Sequence, residues 1–222
     1  MARRRAFDEF YKRKNGMRTK RISKQHLTTE RRTDMKVIGF NGSPRKDGNT
    51  TTLMGYLLRE IAKEGIETEL VQLSAKAIHG CIACYKCFEN QDGRCAVKND
   101  AANEYIEKMT TAQGIVLGSP SYFQDVTAEM KALIDRAGFV GLANGRMHKN
   151  KVGAAISCLR RSGGLHTIET MNHFFLSNEL IIAGRAMSVA RDKGETEKDQ
   201  EGVQAAQTLG QRTAWLMKKL YG

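Results

Sequence analysis

The sequence predicts an α/β domain in three layers, built on a five-stranded, mostly parallel sheet. Three observations predict it. Short apolar runs alternate with stretches of helical periodicity from residue 35 onward. The first strand, helix and second strand fit within residues 35–73, the length of a βαβ unit, whose crossover forces parallel pairing. Turn-forming residues close the runs, and both prolines of the chain, Pro44 and Pro120, follow a Ser at the end of a predicted strand.

The elements follow in order. Residues 35–40 place the β-branched Val37 and Ile38 beside Phe40 and run into the turn Asn41-Gly42-Ser43-Pro44, so they read as a buried strand. A helix capped by Asn49 or Thr50 carries Leu53, Leu57, Leu58 and Ile61 on one face until Gly65 stops it. Residues 68–73 form the second strand. Residues 100–112 form a helix with Tyr105, Ile106 and Met109 inward, and 114–118 the third strand. Helices over 127–139, 166–176 and 195–220 then alternate with strands over 152–157 and 180–187. In such a sheet, ligands bind beyond the carboxyl ends of the strands.

Charge is unevenly spread. The chain of 222 residues has a net charge of +12, from 36 Lys plus Arg against 24 Asp plus Glu. Residues 1–34 hold 12 of those bases and four acids, leaving 24 against 20 for the rest. The leader has no sustained apolar period, so its burial cannot offset the entropy of ordering it, and it reads as a flexible basic arm. It serves to bind a partner subunit or polyanion, or it merely precedes a true start at Met35. No apolar segment after Arg4 and Arg5 completes an export signal, so a cytoplasmic location is expected. No run is long and apolar enough to span a membrane. Residues 35–222 are expected to be one domain.

Three loops on the carboxyl edge carry the chemistry. Residues 41–51 offer glycines, hydroxyls and Arg45 at a helix N-terminus, which suits an anion, although ordinary turn chemistry would use the same residues. Neither a Walker A loop nor Gly-x-Gly-x-x-Gly is present, so nucleoside triphosphate chemistry loses support. Ser119-Pro120-Ser121-Tyr122-Phe123 offers an aromatic shelf for a flat ring, or simply local packing. Arg160-Arg161-Ser162-Gly163-Gly164 adds a glycine-bearing rim.

The two proline loops resemble those of the flavodoxin-like NADPH-dependent FMN reductase superfamily. Gly42-Ser43-Pro44-Arg45 with Asn49-Thr50-Thr51 matches its phosphate loop, and Ser119 to Phe123 its second loop, with Lys131, Asp135 and Arg136 behind. The resemblance implies a flavodoxin-like fold and FMN held by its phosphate at Ser43, Arg45, Asn49, Thr50 and Thr51. It places the ring against Pro120, Ser121, Tyr122 and Phe123, near Gly163 and Gly164.

Four of the five cysteines, Cys81, Cys84, Cys87 and Cys95, fall within 15 residues, in a loop at 80–99 after the second strand. A C-x2-C-x2-C run suits three corners of a 4Fe-4S cubane, and Gly93 permits a turn returning Cys95 as the fourth. Zinc, a regulatory dithiol and free thiols are the alternatives. Cys158 reads as a small core residue. On an FMN-type chain this set resembles the iron-sulfur flavoproteins, which implies an oxidoreductase that takes electrons from ferredoxin through the cluster to FMN and on to a small-molecule acceptor. It also implies a homodimer or homotetramer. A cluster-free NAD(P)H-dependent FMN or quinone reductase is the alternative, and a nucleic-acid-binding module using the arm the third. The near charge balance of residues 35–222 argues against nucleic acid as a partner. Lys76, Lys86, Arg94 and Lys98 would steer an acidic donor toward the cysteine loop.

Overall fold

The computed structural model describes residues 35–222, so the arm reading of residues 1–34 lies outside the described residues. Five strands, β1 (Lys36–Asn41), β2 (Glu67–Gln72), β3 (Gly114–Pro120), β4 (Val152–Leu159) and β5 (Ile181–Val189), form one sheet in the order β2-β1-β3-β4-β5. Every neighbouring pair is parallel. Helices α1 (Asn49–Lys63) and α6 (Gln200–Tyr221) cover one face, and α3 (Ala102–Thr111), α4 (Ala128–Ala143) and α5 (Gly164–Ser177) the other.

Burial on both faces explains why the central strands show no alternation: Val37, Ile38 and Phe40 are all buried, as are Ile115, Val116 and Leu117. The face under α1 and α6 is filled by Leu53, Leu57, Ile61, Leu209 and Met217, and the opposite face by Tyr105, Met109, Met130, Leu133 and Phe175. At the α1–α6 crossing the helices touch closely. A Cβ on Gly210 would stand 2.5 Å from the Leu57 carbonyl oxygen, so only glycine fits there.

The structure adds one helix that the sequence pattern does not show. The short α2 (Lys86–Asn90) lies between left-handed residues at Tyr85 and Gln91, and only Phe88 in it is buried, so it has no apolar period to read. β4 and β5 each run two residues past their expected ends. The last helix starts at Gln200 because the Asp199 carboxylate caps it, accepting from the Gly202 N–H at 3.0 Å; Glu195–Glu197 forms a separate 3-10 turn.

His148, in the connection from α4 to β4, is fully buried with its ring centroid 6.0 Å from that of Phe174. Burial, then the charge of Lys151, bring its pKa from 6.5 down to about 4, partly offset by the Ala137 backbone. The unfolded chain therefore takes up this proton before the folded one. Its contribution is complete above about pH 6.5 and is lost as pH falls toward 4, with about 2 kcal/mol gone by pH 5. Urea midpoints at pH 7 and pH 5 should show that drop, and a His148→Leu chain should lose much of the slope. Equal slopes in the two chains would contradict it.

Candidate functional site

The cleft forms where the chain leaves β1 and β3. Asn41, at the end of β1, donates from Nδ2 to Thr51 Oγ1 and Gln72 Oε1, both at 2.8 Å, and its Oδ1 accepts from the Ser43 N–H at 2.9 Å. Gly42 donates to the Gly118 carbonyl at 2.8 Å, and Thr127, which caps α4, donates from Oγ1 to the Gly42 carbonyl at 2.8 Å. The two proline loops are thus tied to each other and to the start of α4. Beyond Ser43 the chain turns tightly, Gly48 N–H bonding the Arg45 carbonyl at 3.1 Å, and enters α1 without a side-chain cap. The first N–H groups of α1 are left open, at the positive end of a helix with no acid in its first turn.

Ser43, Arg45, Asn49, Thr50, Pro120, Ser121 and Tyr122 line one cleft of about 220 Å³, joined by Cys158, Arg160, Ala190 and Arg191. The Ser121 hydroxyl is buried there with no hydrogen-bond partner among the described residues. Such an orphan in a lined cleft marks a place for an acceptor or donor from outside the chain. Three guanidinium-bearing residues on one rim favour an anion.

Four expected residues lie outside this lining. Thr51 uses its hydroxyl within the loop, donating to the Lys46 carbonyl at 2.7 Å. Phe123 is fully exposed: it and Gln124 take φ of 46° and 80° in a two-residue turn closed by paired bonds between Tyr122 and Asp125, which swings Phe123 to solvent. Gly163 (φ 85°) caps α5, and a Cβ on it would stand 2.7 Å from Gln124 Cα, so glycine here lets the rim loop abut the aromatic loop. Gly164 packs on Leu159 and Met187. Asn49 lines the cleft, but its side chain is engaged elsewhere: Nδ2 donates to the Asp192 carbonyl at 2.8 Å, and Oδ1 accepts from Gly194 and Thr196 N–H at 3.1 and 3.4 Å.

The cysteines form a second pocket. Cys81, Cys84, Cys87 and Cys95 all line it, as free thiols, with Ile82, Val97, Phe139 and Val140. No residue lines both this pocket and the cleft. Left-handed residues at Ala83 and Tyr85 bend the C-x2-C-x2-C run, and Gly93 (φ 73°) makes the return turn to Cys95. Cys95 is fixed through its backbone, its N–H donating to Asn103 Oδ1 at 2.7 Å and its carbonyl accepting from Asn103 Nδ2 at 2.9 Å. Tyr85 and Phe88 each meet Phe139 edge to face, with their own rings tilted to one another at 49°. Burial pushes the Cys87 thiol up to about 11, with Cys95, Cys84 and Cys81 adding to the effect.

Among the described residues, no group of three or more His, Cys, Asp or Glu is arranged to hold a metal ion. The donor set is nevertheless four soft sulfurs around one apolar pocket, the chemistry that suits an iron-sulfur cluster. Cys158 stands apart, buried beside Thr196, with burial pushing its thiol up to about 11 against the hydrogen bonds of Thr196 and Thr50.

Sequence reasoning named Arg136 only in the helix pattern behind the second proline loop and missed that its buried side chain lines the cysteine pocket, paired with Asp100. A charged residue on the apolar face of the α4 pattern, between Leu133 and Val140, was the available signal.

A family model for NADPH-dependent FMN reductase matches residues 35–194. An iron-sulfur flavoprotein of Methanocaldococcus jannaschii is 40% identical over 194 residues, covering 83% of this chain and 98% of the relative. Another, of Methanosarcina thermophila, is 37% identical over 153 residues, 68% of this chain and 78% of the relative. An archaeal flavodoxin superposes with a TM-score of 0.54 at 17% identity, covering 83% of this chain and 99% of that one.

Because the Asn49 amide joins α1 to the Asp192–Thr196 segment, Asn49→Ala should lower stability by about 1–3 kcal/mol. The measurement is the melting temperature, expected to fall by several degrees with unchanged far-UV circular dichroism. An unchanged melting temperature would show that the amide does not hold the segment.

Proposed function

The chain belongs to the iron-sulfur flavoproteins of the NADPH-dependent FMN reductase family, and on that premise we propose that it is an FMN-dependent electron-transfer oxidoreductase that also carries a 4Fe-4S cluster. Four free cysteines around one pocket are the observation that carries this reading, and that favours it over a cluster-free reductase.

Cys81, Cys84, Cys87 and Cys95 would hold the cluster. Ser43, Arg45 and the open N–H groups of Asn49, Thr50 and Thr51 would hold the FMN phosphate, while Pro120, Ser121 and Tyr122 flank the ring. When bound, the cluster passes single electrons and the flavin stores two, which matches a one-electron supply to a two-electron acceptor. The chain's own part is positioning. Thr127 and Asn41 fix the two proline loops, Gly163 sets the approach of the rim loop, and the orphan Ser121 hydroxyl offers one directed hydrogen bond. Val97 and Phe139 give the pocket apolar walls, while Cys81 and Ile82 face solvent. No side chain is required as a nucleophile.

The donor fits a small acidic protein such as ferredoxin. Lys76 and Arg94 are paired with Glu104 and Glu107, at 2.6 and 3.8 Å, while Lys86 and Lys98, in no ion pair among the described residues, are placed to meet such a partner. The acceptor is a small molecule at the open flavin edge, and the working form a homodimer or homotetramer of residues 35–222 with residues 1–34 as an accessory arm. No helix among the described residues is long and apolar enough to cross a membrane, and a cytoplasmic location accords with that.

Anaerobic purification with iron, sulfide and FMN counted tests the reading. About four irons and four sulfides per chain are expected with one FMN. Cys84→Ser should lose most of the iron and keep FMN. Arg45→Ala should keep iron and weaken FMN binding about tenfold or more, the worth of one charge-assisted hydrogen bond. A wild-type chain with FMN and no iron would overturn the cluster and leave the flavin reading standing.

A further inference from the structure

Arg136 is the largest fully buried side chain among the described residues, and its surroundings give it two different sides. On one side it organises the base of the cysteine loop: Nη1 donates to Asp100 and, at 3.2 Å, to the His79 carbonyl, and Nη2 donates to the Val97 carbonyl at 2.8 Å. The Asp100 side chain is fully buried too, and accepts from the His79 and Ala102 N–H groups at 2.9 and 3.1 Å. This set explains how a buried ion pair is tolerated, since each charge is matched and hydrogen-bonded.

On the other side, Nε is buried with no hydrogen-bond partner among the described residues. Arg136 lines the cysteine pocket and Asp100 does not, so the pair turns its positive end toward the sulfurs. Arg136 and Cys95 line the same small pocket, and the Nη2 bond to the Val97 carbonyl holds the guanidinium two residues along the chain from that sulfur.

We propose that Arg136 is a positioning residue for the cysteine set that also raises the reduction potential at this pocket, by setting a fixed positive charge and one uncommitted N–H beside Cys95. The inference rests on the cluster reading above. Adding one electron at a site ringed by thiolates adds one negative charge with no bond made or broken, and hydrogen bonds and charge next to the sulfurs decide how well it is borne. The one-electron reductant is the external donor protein. Lysine cannot replace the arginine fully, because a single ammonium cannot reach His79, Val97 and Asp100 while leaving a donor toward the pocket.

The test is a dye-equilibrated redox titration of the anaerobically purified full chain, followed by the electron paramagnetic resonance of the reduced cluster, with iron counted in every sample. In Arg136→Gln the reduced form should lose about tenfold in relative stability, a potential lower by about 59 mV for a one-electron couple. Asp100→Asn, which removes the opposing charge, should move it the other way, and Arg136→Lys should fall between Arg136→Gln and wild type. The flavin couple should not move, since Arg136 does not line the cleft. Opposite shifts from the two partners are not what loosened packing produces. If Arg136→Gln fails to hold iron, the Asp100→Asn and Arg136→Lys potentials decide, and wild-type values in both overturn the proposal. Iron-loaded Arg136→Gln at the wild-type potential overturns it while leaving the cysteine ligands intact. An iron-free wild type would overturn the cluster reading as well.

Discussion

Parallel pairing is the constraint from which the rest of this molecule follows. Each strand must be reached by a crossover, so all five carboxyl ends lie on one edge of the sheet. The order β2-β1-β3-β4-β5 places β1 and β3 side by side although the chain departs from them in opposite directions, through α1 on one face and α4 on the other. A gap between the departing loops is unavoidable there. The cleft with Ser43, Arg45, Pro120 and Ser121 occupies it.

What keeps that gap in shape is a small set of buried polar side chains. Asn41, Ser119 and Thr127 are each nearly inaccessible to solvent, and all bond across loops: Ser119 Oγ accepts from Thr127 N–H at 3.0 Å, while Thr127 reaches back to Gly42. Each such bond contributes about 1 kcal/mol, and breaking one leaves a buried group unpaired at greater cost. The backbone N–H groups at α1 stay free because these side chains, rather than the helix start, satisfy the turn. The cleft is therefore held open to an anion before one arrives.

The cysteine loop is organised differently. It contributes little apolar surface of its own, Phe88 being the one buried residue of α2, and it is held from outside by polar anchors on the neighbouring helices. Asn103 on α3 grips Cys95, and Asn144 at the end of α4 accepts from Gly93 N–H at 2.9 Å. Arg136 on α4 gathers His79, Val97 and Asp100. Arg136 is eight residues into α4, about 12 Å along the helix from its start at the cleft. One helix therefore supports both sites, its capped end at the two proline loops and its third turn at the sulfurs.

The three-layer class, the strands and the long helices were legible in the sequence: the helices bury apolar residues at a repeating period, and the central strands, buried on both faces, are short unbroken apolar runs closed by turn residues. The spacing of Cys81, Cys84, Cys87 and Cys95 was equally plain, as was the pair of proline loops, since local chain geometry dictates both. Helix α2 was not legible, because five residues set between left-handed turns carry no period. The outward swing of Phe123 and the capture of Asn49 by residues 192–196 were also hidden, for they depend on segments far apart in the chain. Composition and local spacing thus determined which chemistry this protein has the groups for. Only the tertiary structure decided that Arg136 turns a positive charge toward one set of sulfurs, because a buried charge takes its meaning from partners that folding alone brings together.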